Sequence, residues 1–138
     1  MNTIFQKIIA REIPANIIYE DERVLAFLDN SPIRKGHTLI IPKHPYVDIF
    51  DIEPDTFAHI AKLAQKIAQT LKETVGARGV NLHMNNGSEA GQDVFHAHLH
   101  VIPRFERNEA FENPEHETHC EGEATHHAEM LYKNLNKA

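Results

Sequence analysis

The sequence predicts an α+β fold: a five-stranded antiparallel sheet with one long helix, a short N-terminal helix and a C-terminal helix. Two observations carry that expectation. Short β-rich runs are joined mostly by turn-sized links, and one apolar stripe at helical spacing is inserted between the third run and the fourth. A chain of 138 residues is the size of one domain and long enough to bury a core.

The elements follow in order. Ile4 to Ile13 reads as a short helix stopped by Pro14. Asn16 to Tyr19 and Val24 to Leu28 read as a hairpin around Glu20-Asp21-Glu22-Arg23. His37 to Ile41 is a third strand, entered through Gly36 and ended by Pro42. Phe57, Ile60, Ala64, Ile67, Leu71 and Val75 recur at steps of three and four, which marks a helix. Pro54 suits its first turn and Gly76 its exit. Val80 to Asn85 is a fourth strand, Asn86 to Gly91 a glycine-bearing turn, and Val94 to Ile102 a fifth strand closed by Pro103. A last helix runs from Ala124 to Asn136, with Ala124, Ala128, Leu131 and Leu135 on one face. Residues 1–104 read as the main body, and 105–138 as an acidic extension with a terminal helix in the same single domain.

Charge narrows the partners. The formal net charge is −6, and Phe105 to Glu123, with seven glutamates and one arginine, accounts for all of it. No basic surface is available to hold a polynucleotide, so no nucleic-acid partner is expected. The lone Cys120 excludes an internal disulfide. Charges interrupt the apolar residues of the first turns, and no stretch is long enough for a bilayer, so the expectation is a cytoplasmic protein without a membrane partner.

The informative segment is His96-Ala97-His98-Leu99-His100. On a strand, alternate side chains share a face, so three imidazoles form a row about 6.5–7 Å apart while Ala97, Leu99 and Val101 face the core. Three readings compete. One is a solvated strand face. Another is a metal site, completed from Asp93, His37 or His83, although a straight row spreads too far for one tetrahedral ion. The third is catalysis, in which a neutral imidazole attacks an electrophile and its neighbours orient it. Catalysis accounts for all three positions and for the glycine turn before them.

Gly91-Gln92-Asp93-Val94-Phe95-His96-Ala97-His98-Leu99-His100-Val101 resembles the signature of the histidine-triad family of nucleotide hydrolases and transferases. Thr3 to Ile9, Ala26-Phe27-Leu28-Asp29 and Gly36 to Pro42 match its other landmarks in order, so the resemblance runs from Thr3 to about Arg104.

The resemblance implies that His98 is a nucleophile forming a nucleotidyl-histidine intermediate, without metal or cofactor. It implies that the His96 carbonyl fixes the His98 tautomer, that His100 meets the phosphate or leaving group, and that His37 buttresses the row. Asn85 and the backbone N–H groups of Gly91, Gln92 and Asp93 would meet the phosphate. Asp29, with Asn30 beside it, would take the ribose hydroxyls. Ile4, Phe5, Ile8 and Phe27 would form the purine slot, although by composition those four are ordinary core residues. The implied activity is hydrolysis of purine nucleoside 5′-phosphoramidates or related conjugates by a homodimer. Asn85 leans toward the phosphoramidase branch, while the His-Val-Ile-Pro-Arg run at 100–104 also occurs in dinucleoside polyphosphate hydrolases, and a nucleotide-binding regulator with little catalysis is a third reading.

Two departures stand out. Position 93, commonly Ser or Thr, is Asp93 here. The Cys-x-x-Cys that supplies half of a zinc site in many bacterial relatives is replaced by Thr3 and Gln6, although His44 remains. In the tail, His116, His119, Cys120, His126 and His127 cluster among glutamates without regular ligand spacing, and a solvated acidic loop is the preferred reading over a weak metal site.

Overall fold

The computed structural model describes residues 2–112 and 116–136. Five strands, β1 (Ile17–Glu20), β2 (Val24–Leu28), β3 (Thr38–Pro42), β4 (Gly79–His83) and β5 (Leu99–Arg104), form one sheet in the order β1-β2-β3-β5-β4. Every neighbouring pair is antiparallel. The helices are α1 (Ile4–Ile9), α2 (Pro54–Thr74), α3 (Glu109–Glu112) and α4 (Glu123–Leu135). Among the described residues no helix is long and apolar enough to cross a membrane.

The period of two along β2 explains the two layers. Val24, Ala26 and Leu28 join Ile40, Val101 and the apolar faces of α2 and α4 in the main core. Leu25 and Phe27 face the other way and pack with Leu39, Ile41, Phe5 and Ile8 under α1. The stripe of α2 is buried through Ile60, Leu63, Ala64, Ile67 and Leu71. Ala128, Leu131 and Leu135 of α4 enter the same core, so the C-terminal helix is integral to it.

The main boundary differences from the sequence reading fall at α1, β4 and both ends of β5, which runs through Pro103 to Arg104. Helix α1 stops at Ile9, four residues before the expected end at Ile13. Arg11 turns left-handed (φ 63°) and a Schellman motif closes the helix, with Arg11 N–H on the Ile8 carbonyl and Glu12 N–H on the Lys7 carbonyl. Strand β4 ends at His83, short of Asn85. Strand β5 begins only at Leu99, so residues 94–98 lie outside the ladder. The β3–β5 register pairs Leu39 with His100 and Ile40 with Leu99, which would bring Pro42 opposite Ala97. Pro42 has no N–H to offer there, and the Ala97 N–H turns to the Tyr46 carbonyl instead, at 2.8 Å.

Candidate active site

Although only His100 of the row lies on a strand, the three histidines keep a common side. The Phe5 ring meets both His96 (centroids 6.1 Å apart) and His98 (5.0 Å), and His98 meets His100 at 5.1 Å. Ala97 and Val101 enter the opposite core, with Leu99 packed against it. His37, buried just before β3, brings a fourth imidazole to His100.

Hydrogen bonds assign the tautomers one after another. The Ile33 N–H donates to His37 Nδ1 at 3.0 Å, so the proton of neutral His37 sits on Nε2. That Nε2–H donates to His100 Nδ1 at 2.8 Å, which places the His100 proton on Nε2. His98 Nδ1–H donates to the His96 carbonyl at 2.7 Å and leaves the Nε2 lone pair bare. His96 Nε2–H donates to the Pro42 carbonyl at 2.7 Å. The cluster therefore has two bare nitrogens, His98 Nε2 and the fully buried His96 Nδ1, and His98 Nε2 stands beside the N–H donor of His100.

Burial keeps these rings neutral. Desolvation pushes His37 down to about 4, helped by His116, Arg104 and His83. It pushes His100 down to about 3, with His37 and His98 adding to the effect. His98 is lowered by burial too, against the opposing pull of its bond to the His96 carbonyl and of Asp93 and Asp29. An imidazole held below its usual range keeps its lone pair at neutral pH.

The other anticipated residues divide. Phe5, Ile8 and Phe27 pack together beside the row, whereas Ile4 is 47% exposed at its rim. Asp29 follows β2, accepts the Ser31 N–H at 2.8 Å and stands 3.7 Å from His37 Nε2; Asn30 is exposed. Asn85 turns its amide NH2 to the Gly91 carbonyl. A Cβ on Gly91 (φ +92°) would stand 3.3 Å from that nitrogen, so glycine is required there on both counts. The expected backbone anion site needs correction. Gly91 N–H donates to the Ser88 carbonyl and Gln92 N–H to the Gly87 carbonyl, both at 3.0 Å, so the turn itself uses these donors. The Gln92 side chain is buried and ties the turn to Val47 and Val94. Asp93 is exposed, and its N–H has no protein acceptor among the described residues.

His83 belongs to the site although the sequence marked it only as an alternative metal ligand. The β4–β5 register sets it opposite His100, with ring centroids 5.8 Å apart. Its Nε2–H donates to Asn85 Oδ1 at 2.7 Å and so fixes which way that amide faces. The signal lay in a strand register, which the sequence does not display. His83, Asn85, Asp93 and His100 open into a cavity of about 520 Å³ walled by Ile33, Leu82, Ile102, Arg104 and Phe111. A larger cleft, about 770 Å³, lies among Arg34, Lys35, Glu109, Glu117 and Glu123 and is lined by none of the row's histidines.

The row's three histidines do not converge; among the described residues the one convergent group of three is Asp29, His37 and His100. Two imidazole nitrogens on a tetrahedral zinc stand about 3.3 Å apart for Zn–N bonds of about 2.0–2.1 Å. The 2.8 Å between His37 and His100 is a hydrogen bond. The zinc site of cysteine-bearing relatives does not fit these residues. Thr3 and Gln6 bond to each other's backbone in a capping box on α1, and His44 is left without the thiolate half of the set. In the tail, His119, His126 and His127 lie ring to ring at 6.0 and 6.3 Å without a third donor converging.

Sheet, glycine turn and tautomer-fixed imidazoles together define a histidine-triad protein. The chain belongs to the HIT family, whose model, described as HIT domain, matches residues 10–107. Protein hit of Bacillus subtilis is 44% identical over 110 residues, covering 80% of this chain and 76% of that protein. Adenylylsulfatase HINT3 of Arabidopsis thaliana is 40% identical over 105 residues, covering 76% of this chain and 53% of that protein, so the chain matches about half its length. The crystal structure of a Zn-bound histidine triad family protein from Mycobacterium smegmatis superposes with a TM-score of 0.86 at 37% identity, covering 98% of this chain and 94% of that one.

Proposed function

We propose that the chain hydrolyses purine nucleoside 5′-phosphoramidates, or related conjugates, at the α-phosphorus. The observation that carries this is His98: a buried, neutral imidazole whose Nδ1–H is held by the His96 carbonyl, with Nε2 free for attack. In the first step the Nε2 lone pair forms a bond to phosphorus and the P–N bond breaks. The departing nitrogen accepts a hydrogen bond from His100 Nε2–H, whose Nδ1 is held by His37 Nε2–H, and takes its proton from solvent, so that His100 stays neutral. In the second step water attacks the nucleotidyl-histidine, the P–N bond to His98 breaks, and the water proton passes to solvent as His98 is freed. Phe5, Phe27 and Ile8, with Ile4 at the rim, form the base slot; Asp29 and Asn30 face the ribose; Asn85 and the Asp93 N–H meet the phosphate.

Asp93 favours an amine leaving group over a polyphosphate. A carboxylate near the cavity attracts a departing amine that gains a proton and repels an anionic phosphate chain. The adenylylsulfatase among the relatives is consistent with hydrolysis at an adenylyl group. We also infer a homodimer. β4 is an edge strand whose Leu82 is 55% exposed, an unpaired edge of the kind that proteins cover; light scattering on purified protein tests it.

The experiment is a comparison on purified protein of an adenosine 5′-phosphoramidate with a diadenosine polyphosphate, with acid-free quenching to trap an adenylylated histidine. Turnover of the phosphoramidate with label on His98 supports the reading. Preference for the diadenosine compound would move the assignment within the family. Nucleoside monophosphate binding without turnover of either would point to a regulatory binding protein.

A further inference from the structure

The acidic stretch that sequence alone reads as a solvated loop is docked on the β2–β3 connection. Glu109 Oε2 accepts from Arg34 Nε at 2.5 Å, and both side chains are under 10% exposed (8% and 6%). Glu109 Oε1 accepts the N–H groups of Phe105 and Glu106, which fixes where this carboxylate stands. Glu117 N–H donates to the Pro32 carbonyl at 2.9 Å, and Glu117 Oε1 accepts the Lys35 N–H, also at 2.9 Å. His116 Nδ1–H donates to the Ser31 carbonyl at 2.7 Å. Lys35 Nζ reaches Glu123 at 3.1 Å.

The contacts of Glu109 Oε2, His116, Glu117 and Glu123 all land on residues 31–35, and that connection does one chemical task. Its Ile33 N–H is the donor that holds His37 Nδ1, while the Arg34 carbonyl accepts the His37 N–H at 2.9 Å. We propose that Glu109, His116, Glu117 and Glu123 form a positioning element for the histidine relay: they hold the β2–β3 connection so that Ile33 fixes the His37 tautomer and, through it, the donor on His100. This rests on the catalytic reading above and deepens it, since it makes the C-terminal segment part of what keeps the relay in one protonation pattern. The nine-residue connection, 29–37, has local bonds of its own between Asp29 and His37 and between His37 and Arg34; the buried ion pair and three main-chain bonds from the C-terminal segment add restraint at residues 31–35.

The groups that face His37 define what changes when the connection loosens. They are Asp29 at the end of β2, His83 on β4, His100 and Arg104 on β5, and His116 from the docked segment. Water entering beside His37 relieves its desolvation, which is the largest cause of its lowered pKa, so its titration moves upward.

The test uses the full chain. Glu117→Ala removes the acceptor for Lys35 N–H, Glu117→Gln retains one, and Glu109→Ala breaks the buried pair. Long-range proton–nitrogen NMR of the histidine rings reads the His37 tautomer directly, and the pH dependence of phosphoramidate turnover reads the relay. The wild-type chain and Glu117→Gln are expected to show one His37 tautomer with the proton on Nε2. Glu117→Ala and Glu109→Ala are expected to mix tautomers, to raise the His37 titration midpoint by about one pH unit, and to move the acid limb of kcat with it. Folded Glu117→Ala with an unchanged His37 tautomer and titration overturns the proposal, even if Glu109→Ala fails to fold. Because the NMR reading needs no turnover, an inactive wild-type chain would count against the catalytic reading without deciding this one.

Discussion

His98 donates its Nδ1–H to the main-chain carbonyl of His96, two residues earlier, at 2.7 Å. A side chain held by its own backbone loses little freedom when substrate arrives, and its lone pair keeps one direction. His98→Ala is therefore expected to lower kcat by about 10⁴-fold or more, as loss of a nucleophile does. On the proposed reading the same variant should still bind adenosine monophosphate, because Phe5, Ile8 and Phe27 keep their packing with Leu25, Leu39 and Ile41. Calorimetry beside a turnover assay checks both, and substantial residual activity would remove His98 from the role.

The His37–His100 bond makes a separable prediction. If His100 Nε2–H donates a hydrogen bond to the departing nitrogen as charge gathers there, His100→Ala should cost about 10²–10³-fold for an alkylamine leaving group. For a leaving group that departs as a stable anion, the loss should shrink toward tenfold. Measuring kcat across leaving groups of graded basicity separates this from a binding defect, which would lower all of them alike.

Asp93 makes a prediction about selectivity. Asp93→Ser removes a carboxylate close enough to influence His98, so turnover of dinucleoside polyphosphates should rise relative to phosphoramidates, by about tenfold for one relieved charge contact of about 1.4 kcal/mol. An unchanged ratio of kcat/KM values would show that the carboxylate does not face the leaving group.

Stability should depend on pH with a definite sign. In the folded chain burial pushes His37 down to about 4 and His100 down to about 3, from the ordinary histidine value of 6.5. Between those limits the unfolded state binds more protons, so stability is constant above about pH 7 and falls as pH drops through 6.5 toward 4. Thermal melts should show Tm declining over that window, and His37→Gln should flatten the decline. A Tm independent of pH between 7 and 4.5 would contradict the burial assigned to these rings.

The alternation of His96, His98 and His100 with Ala97, Leu99 and Val101 was legible as a period of two, and the faces it predicts persist although residues 94–96 bend and the ladder begins only at Leu99. The stripe of α2 was legible for the same kind of reason, and even there Leu63, buried beside Ala64, escaped the pattern. Helix α1 was read too long because Arg11 adopts a left-handed turn that its residue type does not announce. The anion-binding role given to Gly91 and Gln92 failed because a glycine-bearing run does not show where its N–H groups point.

Sequence by itself determined what repeats at short range: the imidazole row, the apolar faces of the helices and the punctuation by Gly36, Pro42 and Gly91. Covalent geometry sets those periods, so neighbours in the chain suffice to read them. Only the tertiary structure decided that His83 stands across from His100, that Ile33 holds His37, and that Glu109 and Glu117 reach back to Arg34 and Lys35. Those relationships join residues far apart in the chain through strand register and buried charge, and both arise only once the sheet has closed around its core.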